Sequence, residues 1–162
     1  MDFNLNIERS LEQMKKGAFL TVKSGEKLNT MTIGWGYIGV MWGEKYFIAM
    51  VRPTRYTNDL LINSSDFTVT LPLNDALNQE LILCGTKSGR DIDKGSIVSF
   101  IDSKSVNSPI IKGKNFHYEC KIRTVQTLDG SKIGQDIQDK YYPEKDFHYL
   151  YFGEIVEAYE TV

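Results

Sequence analysis

The chain has 162 residues, of which 41% are hydrophobic and 25% charged, with a formal net charge of −2. These values suit a single globular domain over residues 1–162 with a core of its own, and they argue against the broad basic footprint of a nucleic-acid binder. No apolar run approaches the ~18 residues of a membrane span, and the first residues lack the basic-then-apolar pattern of a signal peptide. Cys84 and Cys120 are too few and too far apart to suggest a zinc site or a disulfide framework. The expectation is a cytoplasmic chain with reduced thiols, no metal, and neither a membrane nor a nucleic-acid partner.

Residues 6–17 predict a short amphipathic helix, with Ile7, Leu11 and Met14 at i, i+4 and i+7. Asn6 is placed to cap it, and Lys15, Lys16 and Gly17 to end it. A strand follows in "AFLTVKS", then a turn in "SGEK". "LNTMTIGWGYIGVMW" is β-branched and aromatic, but its glycines mark bulges, corners or a close backbone approach. "KYFIAMV" predicts a continuous apolar strand, "TRYTNDLLINS" a helix with Leu60 and Leu61 inward, and "DFTVTLPL" a strand ended at Pro72. "DALNQELILCG" starts as a helix and passes into a Gly/Ser loop. Residues 116–128 predict a long alternating strand, residues 135–147 a polar loop, and "HYLYFGEIVEAYE" the last strand. Strands of this number with short helices between them suggest a closed antiparallel barrel, which removes exposed sheet edges.

Three polar groupings could carry function. In "VRPTRYT", Arg52 and Arg55 offer planar donor forks suited to phosphate or carboxylate. Pro53 stiffens the turn, and Thr54 and Thr57 add hydroxyls near a helix start. The same arginines could equally pair at the surface with Asp59 or Asp66. In "CGTKSGRDIDK", consecutive backbone N–H groups could form an anion-binding nest, although the P-loop spacing is missing. A solvated loop would read the same way. In "NTMTIGWGYIG", glycines would let a flat ligand approach the main chain, or simply let a barrel strand curve. No nucleophile, acid–base pair or catalytic histidine stands out. His117 and His148 read as structural, and Asp136, Asp139, Glu144 and Asp146 as a solvated acidic loop. Any chemistry would then belong to a bound cofactor.

Taken together and in this order, "NTMTIGWGYIGVMWGEKYFIAMVRPTRYTNDLL", "DFTVTLP", "CGTKSGRDIDK" and "YLYFGEIVEAY" resemble the flavoredoxin branch of the flavin reductase-like, FMN-binding split-barrel family. The resemblance runs from about Ala18 to Tyr159. It implies a mainly β fold, a six-stranded antiparallel split barrel with short flanking helices. It also implies a homodimer with FMN near the interface. By the resemblance, Arg55 and Thr57 would hold the FMN phosphate, with Ser88 and Lys94 assisting. Asn29, Met31, Thr32 and Trp35 would line the isoalloxazine or ribityl side, Arg52 would lie near the flavin, and Pro53 would shape the turn. The implied activity is that of an FMN oxidoreductase drawing on NADH or NADPH, such as a flavin reductase or flavoredoxin. The alternatives are a non-catalytic FMN electron-transfer module fed by a separate reductase or redox-protein donor, and a small-molecule-binding barrel without redox activity.

Overall fold

The computed structural model describes residues 4–162. Residues 1–3, the start of the stretch inspected for a signal peptide, lie outside the described residues. No helix among the described residues is long and apolar enough to cross a membrane.

The chain opens with helix α1 (Ile7–Lys16) and runs into strand β1 (Ala18–Ser24), then β2 (Lys27–Ile33), β3 (Gly36–Met41) and β4 (Glu44–Val51). Helix α2 (Tyr56–Leu61) leads to β5 (Asp66–Pro72), and α3 (Asn78–Thr86) follows. A short ribbon of β6 (Phe100–Ile101) and β7 (Ile110–Ile111) precedes the long strand β8 (Asn115–Thr127). Helix α4 (Gln135–Tyr141) and strand β9 (Tyr149–Glu160) complete the order.

The main sheet has seven strands in the order β2-β1-β5-β8-β9-β4-β3. The six-strand expectation is corrected by one, and the cause is local. The stretch expected as one glycine-broken strand divides at Gly34 and Trp35 into β2 and β3. These two become opposite edges of the sheet. Two residues cannot span a flat seven-stranded sheet, so the sheet must curl until its edges meet. The result is a mainly β antiparallel split barrel.

The barrel interior holds Leu20, Val22, Phe47, Ala49, Phe67, Val69, Tyr118 and Tyr151, all buried. Gly153 is required there. A Cβ on it would lie 2.5 Å from the Phe67 ring and 2.7 Å from Cys120 Cβ, so that ring packs directly on β9 backbone. Cys84 and Cys120 are buried free thiols, pushed up in pKa chiefly by burial. They pack as small apolar residues.

Several local expectations are corrected. Alternation in β8 fails over residues 115–120, all of which are buried, because layers cover both faces there. Asn6 occupies the cap position of α1 but makes no side-chain capping bond. Met14 is buried on α1, whereas Ile7 and Leu11 are each 44% exposed. The expected polar loop contains α4. An i,i+4 bond from Gln135 to Asp139 (2.7 Å) and bonds from Gln138 to the carbonyls of Gly130 and Ile133 (both 2.8 Å) hold that helix in place.

Candidate functional site

The chain reverses at residues 52–55, where the Arg55 N–H donates to the Arg52 carbonyl (3.1 Å). Pro53 sits at the second position, which its fixed φ suits. This turn joins β4 to α2 and aims Arg55 between two adjoining cavities of about 200 and 170 Å³. Met31 and Arg55 line both, so the two form one groove with a cationic end and an aromatic end.

At the cationic end, Arg55 is exposed, and among the described residues its guanidinium has no carboxylate partner. Thr57 is buried and accepts from Asn29 Nδ2 (2.9 Å), which leaves its own hydroxyl proton free. Ser88 Oγ likewise accepts, from the Arg90 N–H (3.1 Å). Lys94 is only 2% exposed, and its Nζ donates to the carbonyls of Thr30 (3.1 Å) and Cys84 (3.0 Å). An ammonium has three donors, so one remains for a ligand. Burial lowers the Lys94 pKa, and the Arg55 charge lowers it further, while Cys84 opposes. An added anion would relieve both costs. Gly89 passes so close to Asn29 that a Cβ would fall 2.2 Å from its Oδ1.

Asp59 and Asp66 pair with neither sequence-singled arginine. Asp59 takes Arg90 (2.6 Å), which also reaches the Thr54 carbonyl and covers the Tyr56 ring. Asp66 is buried and accepts from the backbone of Asn107 and Ser108. Helix α2 has only six residues, so anion affinity at this end rests on side chains rather than on a helix dipole.

The aromatic end is lined by Thr32, Trp35, Met50, Arg52 and His148. Thr32 donates its hydroxyl to the Leu81 carbonyl. Trp35 is 41% exposed and packs edge-on to Tyr141 at 5.0 Å. Arg52 is anchored: it pairs with Asp146 (2.9 Å), donates to the Tyr141 carbonyl (2.8 Å) and covers the Tyr142 ring at 5.0 Å. Asp146 is therefore a structural partner, not part of a solvated acidic loop. Beyond Gly34, Trp35 and Met50 the groove opens into an apolar chamber of about 750 Å³.

The structure thus gathers Asn29, Met31, Thr32, Trp35, Arg52, Arg55, Thr57, Ser88 and Lys94 around one groove. Pro53 shapes the turn without lining it. Sequence reasoning passed over Met50, read His148 as structural, and placed Arg90 in the basic loop without a role of its own. His148 had no motif beside it. Its place in the groove depends on the β9 pairing that sets Tyr149 opposite Val51.

The split barrel thus carries a cationic pocket and an exposed tryptophan on one continuous groove. The sequence profile of the Flavin reductase like domain matches residues 15–161, and the chain belongs to that family. No curated protein matches the sequence. Among solved structures, the flavoredoxin of Methanosarcina acetivorans aligns over 90% of this chain and 68% of its own, with a TM-score of 0.69 and 23% identity. The Thermus thermophilus FMN-binding protein with bound 1-cyclohex-2-enone aligns over 89% and 69%, with a TM-score of 0.71 and 23% identity. An NADH:FAD oxidoreductase from Streptomyces globisporus aligns over 90% and 75%, with a TM-score of 0.67 and 18% identity. These likenesses establish the fold.

Proposed function

We propose that the groove binds FMN and that the protein is an FMN-dependent oxidoreductase of the flavin reductase or flavoredoxin kind. The observation that carries this reading is the Arg55 guanidinium, without a carboxylate partner among the described residues, between a donor-rich pocket and an aromatic wall. The residues present fit the group. A terminal phosphate near −2 needs several donors from separate segments. Arg55, Thr57, Ser88 and Lys94 each have a donor to spare, and they come from the 52–55 turn, α2 and the 87–94 loop. Asn29 borders the path between the ends, and Met31, Thr32 and Trp35 supply a wall for a flat ring.

FMN, when bound, supplies the electron-transfer chemistry. The chain's own residues bind the phosphate, orient the ring and exclude water from its inner face. FMN is favoured over FAD because Arg90 bridges Thr54 and Asp59 across the outer margin of the phosphate pocket, where an adenylate would have to leave. A nicotinamide donor, NADH or NADPH, would stack from the open chamber beside Trp35. Exposed Tyr37, Val40 and Trp42 on and next to edge strand β3 favour a homodimer that covers this apolar surface.

The test is the visible spectrum of the purified protein, followed by anaerobic titration with NADH and with NADPH. Oxidised-flavin absorbance that bleaches with either nucleotide is the expected result. Flavin absorbance that bleaches only when a separate reductase is added would favour the electron-transfer module. No flavin uptake would reject the reading.

A further inference from the structure

His148 lies at the aromatic end of the groove, 7% exposed, with its ring 5.2 Å from that of Trp35. Its Nδ1 is 2.6 Å from the hydroxyl oxygen of Tyr142, which is itself buried. The His148 backbone N–H also donates toward that hydroxyl oxygen, which leaves the Tyr142 proton itself in need of an acceptor. Two arrangements are possible, and only one satisfies both. If Nδ1 carried the proton and donated, the buried Tyr142 O–H would be left with no acceptor. If Tyr142 donates, its proton is satisfied, and the imidazole proton must sit on Nε2. Burial raises the Tyr142 pKa, so the phenol keeps the proton it donates.

The surroundings also disfavour a second proton on the ring. Burial, reinforced by the charges of Arg52 and Arg55 and opposed by Asp146, pushes the His148 pKa down to about 4. Arg52 lies over the Tyr142 ring and is anchored on Asp146, so the same ion pair fixes the phenol and keeps positive charge beside the imidazole. Among the described residues His148 Nε2 has no hydrogen-bond partner, it is not a fully buried atom, and the residue lines the cavity.

The geometry points to Tyr142 as a positioning residue that locks His148 as a neutral Nε2–H donor aimed into the groove. The matching ligand group is a carbonyl acceptor on a planar molecule. This rests on the flavin reading above, and two sources supply that chemistry: the carbonyl edge of the flavin ring, or the carbonyl of a small electron acceptor beside it. The role is recognition rather than proton delivery, because a neutral imidazole held by a phenol donates a hydrogen bond without becoming an acid at neutral pH.

The chain has only two histidines, so 15N-histidine labelling of the full chain gives two resolvable rings. His148→Gln assigns them. In the ligand-free protein at pH 7, His148 should show a protonated Nε2 and a bare Nδ1. Tyr142→Phe, which keeps the ring under Arg52, should convert this to a mixture of tautomers while leaving His117 unchanged. Riboflavin and benzaldehyde are then added separately, and the one whose carbonyl is read should move the Nε2–H resonance. That ligand's affinity should fall about tenfold in His148→Leu, the usual loss for one hydrogen bond, and stay within about threefold in His148→Gln, whose amide keeps a donor. An Nδ1–H tautomer in the free protein, no response to Tyr142→Phe, or an Nε2 unmoved by both ligands would overturn the proposal. Failure of riboflavin to bind at all would remove the flavin reading, while the free-chain tautomer and the benzaldehyde arm would still decide this one.

Discussion

The two ends of the groove are built in opposite ways. The cationic end is held from inside the fold: Asn29 bonds Thr57, Lys94 bonds two carbonyls, and Gly89 lies against Asn29. The aromatic end is held from outside, by a segment that returns after α4. Arg52, Asp146, Tyr142 and His148 pin that segment against the β4 turn. The difference separates two tasks. A preorganised donor cluster recognises a phosphate whatever ring is attached to it. The aromatic wall recognises a ring whatever tail it carries. Changes at the first end should distinguish FMN from riboflavin, and changes at the second should not.

The largest contrast to test is in pH. His148 belongs to the groove, whereas His117 is sealed in the core between Thr70 and Thr161, yet burial pushes both down to about 4. Both rings stay neutral in the fold, so unfolding takes up protons below the ordinary imidazole value of about 6.5. Stability should therefore fall as pH drops from about 6.5 toward 4, by up to roughly 1.4 kcal/mol per unit for each histidine. Denaturant unfolding between these pH values measures the slope. His148→Gln should halve it, and an unchanged slope would place His148 in water.

Gly89→Ala comes next. Its Cβ would lie 2.2 Å from Asn29 Oδ1 and 2.6 Å from the Tyr56 ring. Overpacking of this kind costs about 1–3 kcal/mol. It should weaken FMN more than riboflavin in parallel titrations, and equal losses would blur the two ends. Trp35→Ala should do the reverse. It removes ring-contact area worth about 1–2 kcal/mol from FMN and riboflavin alike, as calorimetry with each ligand would show. Asp146→Asn should have the smallest effect. The Arg52 pair is partly exposed, so its loss should lower thermal stability by about 0–1 kcal/mol and leave phosphate discrimination intact.

The residues of the cationic end were legible as candidates because they fall in short runs with a shared chemistry, although only the family resemblance chose an anion site over surface pairs and a solvated loop. "VRPTRYT" and "CGTKSGRDIDK" each place donors within a few positions, so one turn or loop delivers them together. The barrel was legible for a related reason, as β1, β4 and β5 are apolar runs bounded by turn signals. The aromatic end was legible only in part: the resemblance named Thr32, Trp35 and Arg52 there, but not Met50, His148 or the contacts that hold Arg52. Arg52 meets Asp146 across 94 residues, and no local pattern announces that pairing. Helix α4 was missed because only Ile137 and Tyr141 give it a helical period amid polar neighbours, and its stability comes from Gln138 reaching back to Gly130 and Ile133. The strand count was missed by one because the glycines flanking Trp35 read as bulges, whereas the chain there crosses between sheet edges.

The most direct test of the account is the FMN and riboflavin affinity of Arg55→Ala, measured side by side. Arg55 lines both halves of the groove and has no ion-pair partner among the described residues, so its removal should disturb the fold little. If its guanidinium takes the phosphate, FMN binding should weaken by about 1.5–3 kcal/mol. That is roughly a tenfold to hundredfold rise in Kd, with riboflavin affinity and thermal stability nearly unchanged. Equal FMN affinity in Arg55→Ala and the parent protein, at unchanged stability, would contradict the assignment of this groove to a phosphate-bearing flavin.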